Sequence, residues 1–301
     1  MATNRILLSL VTLILPLVIA NSSNAQNWPQ FRGPGGNAFS ADTNIPAIWD
    51  DSKNMLWKCD LLGKGASSPI VWKNNIFVTC FTNAASGIER YLICIDKNSG
   101  KILWKSSVKA DVQDDPYSGY LTQHGYASST PATDGESIFA FFGKAGVVAF
   151  DFSGKELWKT SVGVQSGNRK WGSASSVILH KDLVIVNASE ESRAVIGLNK
   201  KTGAEVWKAP GDKLELSYTT PFIFNASPEK QLIIVPVPNE IWAINPENGK
   251  LVWFAETSLN GNISPTIAAK DNLLFCFGGF PQTKSVALKA EGKGDLSKNI
   301  I

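Results

Sequence analysis

The stretch Ala149-Phe150-Asp151-Phe152-Ser153-Gly154-Lys155-Glu156-Leu157-Trp158 sets the plan of the whole chain. It reads as a small or apolar pair, Asp or Asn, a turn, Gly, and then Trp four residues after the Gly. Three more copies share that plan: Cys94-Ile95-Asp96 with Gly100 and Trp104, Gly197-Leu198-Asn199 with Gly203 and Trp207, and Ala243-Ile244-Asn245 with Gly249 and Trp253. Trp57 is an earlier half-copy, and successive tryptophans are 47, 54, 49 and 46 residues apart. Asp or Asn closing a strand hydrogen-bonds the N–H groups ahead of it. Gly supplies the positive φ that ends the turn, so the next strand starts in fixed register. Trp on that strand offers a broad apolar face and one N–H, which suits a wedge between neighbouring sheets where a backbone carbonyl accepts the donor. A β-rich repeat of this period is the pattern of a propeller.

A second repeated feature fixes the phase. Upstream of the turns lie Ser67-Ser68-Pro69, Ser128-Ser129-Thr130-Pro131, Ser173-Ala174-Ser175-Ser176, Tyr218-Thr219-Thr220-Pro221 and Ile263-Ser264-Pro265. Pro is tolerated at the first residues of a strand, where its missing donor costs least. Polar hairpins and apolar runs follow, such as Ile76-Phe77-Val78, Ile138-Phe139-Ala140-Phe141 and Leu183-Val184-Ile185-Val186. Each unit therefore reads as one four-stranded antiparallel blade. The sequence predicts an all-β propeller with about five blades, near 66–108, 127–162, 173–210, 217–256 and 262–289. Residues 55–58, with Trp57, read as an N-terminal closing strand.

The docking signature resembles the tryptophan-docking motif of pyrroloquinoline-quinone-like (PQQ-like) β-propeller repeats. Such repeats occur in quinoprotein dehydrogenases and in the non-catalytic BamB-type assembly lipoproteins of the outer membrane. The opening Asn27-Trp28-Pro29-Gln30-Phe31-Arg32-Gly33-Pro34 is similar to that of secreted PQQ-like repeat proteins of environmental bacteria such as planctomycetes. The resemblance runs from Trp28 to about Leu288. It implies a structural role for Trp57, Trp104, Trp158, Trp207 and Trp253, with Asp96, Gly100, Asp151, Gly154, Asn199, Gly203, Asn245 and Gly249. It also implies further blades: no Trp follows Gly294 before Ile301, so a C-terminally truncated propeller of seven or eight blades is expected, with two unpaired edges.

The N-terminus bears on compartment. Met1 to Arg5 is short and basic, Ile6 to Ala20 is apolar, and Ser23-Asn24-Ala25 ends in small residues, the pattern of a cleaved secretory leader. Three segments are expected: a signal peptide over 1–25, a lead-in over 26–54, and repeats over 55–301. Export through the Sec pathway to the periplasm or the extracellular space follows. The leader is short for a membrane span, and no later segment is apolar enough to cross a bilayer. No Cys lies near the cleavage site, since the first is Cys59, which argues against the lipoprotein anchor of BamB-type relatives. Net charge is +3 with 18% charged residues, leaving no electrostatic footprint for nucleic acid.

For chemistry, the resemblance to quinoproteins implies PQQ held between a Trp and a vicinal disulfide, with Ca²⁺ beside a catalytic Asp. Here Cys59, Cys80, Cys94 and Cys276 are isolated, so no cofactor is expected and PQQ least of all. The chain has no C-x-x-C, H-x-x-x-H or G-x-S-x-G and only two His, so metal and triad chemistry lack their usual parts. Cys80 and Cys94 either bridge neighbouring strands or stay buried as free thiols. His180 reads as a solvated hairpin tip. The longest insertion, between Trp104 and Pro131, carries Asp111, Asp114, Asp115, His124 and Tyr126, in spacing that does not match an EF-hand loop. The connection after Trp158 carries Arg169, Lys170 and Trp171. His124, Tyr126, Arg169 and Trp171 are the candidate partner or ligand face, against the plainer reading of solvated loops. The function expected is an exported, non-catalytic scaffold that binds envelope or secreted proteins, or a polymeric ligand. The alternative is a quinoprotein-type oxidoreductase, which vicinal cysteines and calcium ligands would favour.

Overall fold

Five antiparallel sheets follow one another along the chain, in a computed structural model that describes residues 27–301 except Asn44, Pro228 and Pro281. The leader expected over 1–25 lies outside the described residues. Blade 1 comprises β1 (Ile70–Trp72), β2 (Asn75–Ala84), β3 (Gly87–Asp96) and β4 (Ile102–Val108). Blade 2 comprises β5 (Ala132–Thr133), β6 (Ile138–Phe141), β7 (Val147–Phe150) and β8 (Glu156–Thr160). Blade 3 comprises β9 (Ile178–His180), β10 (Leu183–Ala188), β11 (Ala194–Asn199) and β12 (Glu205–Pro210). Blade 4 comprises β13 (Phe222–Ser227), β14 (Lys230–Val237), β15 (Glu240–Ile244) and β16 (Leu251–Glu256). Blade 5 comprises β17 (Ala268–Lys270), β18 (Leu273–Gly278) and β19 (Lys284–Lys289), and β20 (Gly294–Asp295) pairs in parallel with β16. Short helical turns α1 (Leu121–His124) and α2 (Ser189–Ser192) lie between strands.

The apolar runs are continuous because the middle strands are buried on both faces. In β10, Val184 and Val186 pack against Phe139, Phe141 and Val147 of blade 2, while Leu183 and Ile185 pack against Ile233 and Val235 of blade 4. Alternate side chains thus serve the two neighbouring blades. The same rule settles the cysteines: Cys80 faces Tyr91 across the ladder and Cys94 faces Phe77, on opposite faces of blade 1. All four thiols are free, and no bridge forms between Cys80 and Cys94.

At each joint the tryptophan of one blade meets the turn of the next. The indole N–H of Trp57, Trp104, Trp158 and Trp207 donates to the carbonyls of Lys97, Phe152, Lys200 and Pro246 at 2.8–2.9 Å. Each acceptor is the residue directly after the Asp or Asn of the signature. The turn glycines are needed twice over: Gly100, Gly154, Gly203 and Gly249 have φ between 69° and 86°, and a Cβ there would sit 2.5–2.7 Å from the docked indole. Within a blade, each Trp lies opposite a small residue that leaves room for its ring, namely Cys94, Ala149, Gly197 or Ala243. Trp57 docks in this way although residues 55–59 form no ladder among the described residues. Trp253 is 1% exposed, and its N–H has no partner among the described residues.

The Ser/Thr starts form an inner ring. Ser68 N–H donates to Thr130 Oγ1, Thr130 N–H to Ser176 Oγ, and Ser176 N–H to Thr220 Oγ1, all at 2.9–3.0 Å. Each hydroxyl satisfies a buried backbone donor of the blade before it, which explains why this residue type recurs there. The lead-in crosses the inner strands on the hairpin side. Trp28 pairs with Val71 of blade 1, and Pro29 O accepts the N–H of Thr133 in blade 2. Gly36 abuts Phe222 of blade 4, and Arg32 donates to the carbonyls of Thr266 and Ile267 beside blade 5. His180 departs from its expected place: it is 5% exposed, not solvated, and its Nε2 lies 3.2 Å from Glu247 on the docking turn of the next blade. The hairpin tip is Lys181-Asp182, and β9 carries His180 inward before it.

Candidate binding site at the connection end

The long connections between blades gather at the end of the propeller opposite the lead-in. The longest, between β4 and β5, is fastened by its own carboxylates. Asp114 pairs with Arg90 of β3, Asp115 lies 3.1 Å from the ammonium of Lys144 in blade 2, and Asp111 lies 2.7 Å from Lys159 of β8. The aspartates that invite a calcium reading therefore serve as ties from loop to blade. Ser166 of the next connection also donates to Asp115, at 2.8 and 2.9 Å, so the two loops are bound to each other.

Two further carboxylates, from α2, complete this cluster. Glu190 accepts the Gly167 N–H at 2.8 Å and the Tyr218 hydroxyl at 2.9 Å, and Glu191 accepts the Ser173 hydroxyl at 2.6 Å. Burial raises both carboxyls above the ordinary range, that of Glu191 to about 7. Arg90 is 1% exposed, stacks on Tyr126 at 5.4 Å, and leaves Nε and Nη1 without partners among the described residues. These groups line a cavity of about 30 Å³, room for a water molecule or two. Neither the Glu190-Glu191 pair nor Arg90 stands out in sequence, because single charges at strand ends normally point to solvent. Only the fold turns them inward.

His124 and Trp171, from different connections, are joined. The Trp171 carbonyl can only accept, so His124 Nε2 carries the proton and donates to it at 2.9 Å; the Ser128 hydroxyl lies 2.6 Å from Nδ1. Burial holds the imidazole below its usual range, so it is a neutral buckle with both nitrogens engaged. Tyr126 lies deeper, its hydroxyl donating to the Asp115 carbonyl at 2.6 Å. Arg169 stacks over the Trp171 ring at 4.8 Å. Of the four candidate residues, His124, Arg169 and Trp171 thus come together at the surface, and Tyr126 belongs to the charge cluster beneath.

The surface feature they frame is an aromatic hollow of about 210 Å³. Tyr120 meets Trp171 edge to face at 4.5 Å, and Trp171 meets Tyr218 at 6.0 Å. Asn262 and Ser264 from the connection between blades 4 and 5, with Phe280 from the β18–β19 loop, form the other side. Four inter-blade connections and one hairpin loop each contribute. The hollow therefore exists only when blades 1 to 5 are in register.

Successive antiparallel blades locked by tryptophans and glycines define a propeller of the PQQ-like repeat class. The chain belongs to the family described as outer membrane protein assembly factor BamB, whose profile matches residues 41–210 and 89–272. Among solved structures it is similar to BamB from Moraxella catarrhalis, at 15% identity and a TM-score of 0.49, over 74% of this chain and 57% of that one. It is also similar to the quinohemoprotein alcohol dehydrogenase ADHIIG from Pseudomonas putida HK5, at 15% identity and a TM-score of 0.51, over 88% of this chain and 45% of that one. The chain thus spans about half the length of these two proteins. No curated protein matches it. No helix among the described residues is long and apolar enough to cross a membrane.

Proposed function

We propose that this chain is an exported, non-catalytic propeller that acts as a protein-binding scaffold in the cell envelope, through its connection end. One observation carries the reading: the carboxylates and the imidazole gathered there are tied into the fold, while aromatic and neutral polar groups line the hollow. Asp114, Asp115, Glu190, Glu191 and His124 each hold an internal partner. The family's description as an assembly factor supports protein partners, and the apolar leader supports export.

PQQ does not fit the residues present. It is a tricarboxylate, and no ionised side chain lines the aromatic hollow. Cys59, Cys80, Cys94 and Cys276 are all free and none neighbours another in sequence, so the residues present offer no vicinal disulfide to roof a quinone. The test is photocrosslinking in an envelope fraction, with a crosslinker placed at Lys170 on the connection end or at Lys97 on the hairpin end. Discrete protein adducts from position 170 alone are expected. Adducts from neither position, together with saturable PQQ binding by calorimetry, would replace the scaffold with a quinoprotein.

A further inference from the structure

We propose that the aromatic hollow at the connection end binds one neutral pyranose ring of a saccharide chain. This rests on the reading of that end as the binding face, and adds a ligand class to it.

Three observations point to such a ring. The first is the wall made by Tyr120, Trp171 and Tyr218, with Phe280 across from it. Tyr120 and Phe280 stay 50% and 53% exposed although both are large and apolar, and clustered exposed apolar surface inside a concavity marks a ligand groove. Aromatic faces suit the C–H face of a sugar, which is flat, apolar and rimmed with hydroxyls.

The second is charge. The hollow is lined by no Asp, Glu, Lys or Arg. Arg169 stacks over the Trp171 ring without being one of the lining residues, and the nearby carboxylate of Glu190 sits behind Tyr218, held by its hydroxyl. Inside the hollow a phosphate, a polycarboxylate or an ammonium would shed hydration with no counter-charge among the lining residues, at a cost that a neutral polyol escapes.

The third is the polar pair. Asn262 offers an amide and Ser264 a hydroxyl, and neither side chain has a hydrogen-bond partner among the described residues. Both donate and accept, which is what vicinal hydroxyls require. An apolar side chain from a protein partner would cover the aromatic wall and leave these two groups desolvated and unpaired. The volume, about 210 Å³, is below the ~300 Å³ of sites for drug-sized ligands, so one ring enters and the rest of the chain stays outside.

The experiment is titration of the purified protein with four neutral hexasaccharides, maltohexaose, cellohexaose, xylohexaose and hexa-N-acetylchitohexaose, read by calorimetry and tryptophan fluorescence. At least one should saturate with Kd at or below about 1 mM. Trp171→Ala and Asn262→Ala should each weaken it about tenfold or more, with melting lowered by about 4 °C at most. If Trp171→Ala does not fold, Phe280→Ala on the exposed opposite wall takes its place. Hexagalacturonate, a charged counterpart, should bind at least tenfold more weakly than the best neutral chain. No saturable signal from any of the four, equal binding by the variants, or preference for hexagalacturonate overturns the proposal. Adducts at Lys170 without sugar binding would remove the saccharide and leave the protein scaffold standing. Sugar binding without adducts would do the reverse.

Discussion

At the hairpin end, four successive joints repeat one contact: an indole N–H on the carbonyl after an Asp or Asn, and a ring against a glycine of positive φ. At the connection end the fastenings differ from loop to loop: ion pairs of Asp114 and Asp115 hold the longest, and the Ser173 hydroxyl on Glu191 holds the next. The first end builds the propeller by a rule, and the second builds one surface out of exceptions. A repeat needs the rule at every joint to keep its neighbours in step, whereas a binding face need arise only once.

The sharpest way to break this contrast is to remove one indole from each end. Trp207→Ala, at a buried joint, should lower unfolding free energy by about 3–5 kcal/mol, because it empties the interface of blades 3 and 4 and orphans the Pro246 carbonyl. Trp171→Ala at the mouth should cost about 1 kcal/mol or less. Denaturant titration of both variants measures the gap, and equal losses would erase the distinction.

Next in size is a pH effect confined to the connection end. Folding raises the Glu191 carboxyl from 4.5 to about 7, so between those values the folded protein holds a proton that the unfolded chain has released. Stability from this group is full below the lower value and falls as pH rises toward the upper one. The swing is on the order of 3 kcal/mol. Glu191→Gln keeps the acceptor for Ser173 and should flatten that part of the melting profile between pH 4.5 and 7, raising Tm at neutral pH and above. A profile identical to the parent's would show that the carboxyl titrates normally.

The smallest effect concerns the lead-in. Arg32→Ala removes two donations to the carbonyls of Thr266 and Ile267 and should cost about 1 kcal/mol, with blade 5 losing hydrogen-exchange protection before blade 1. Uniform loss of protection would mean that the segment does not clamp individual blades.

The same contrast explains what could be read in the sequence. The blades were legible because the Trp-to-Gly joint recurs with the same residue types, and the phase was legible in the Ser/Thr starts. What those hydroxyls do was not, since Thr130, Ser176 and Thr220 act on the preceding blade, more than forty residues away. His180 misled because its neighbours Lys181 and Asp182 do form the tip, while β9 turns the imidazole inward to Glu247. At the mouth, His124 and Trp171 stood out by composition, but their bond spans 47 residues. Arg90, Glu190 and Glu191 gave no signal, because a buried charge is recognised by its partner and the partner lies in another blade.

The direction of docking has a consequence for how such a chain comes into being. Each of the four docking tryptophans, Trp57, Trp104, Trp158 and Trp207, reaches forward, to a turn 39 to 48 residues later in the sequence. A chain emerging N-terminus first from a ribosome or a translocation pore therefore cannot seat an indole until the following blade has arrived. Assembly lags synthesis by one repeat throughout. The growing tip carries one bare tryptophan at every stage, the surface that a holding chaperone would meet.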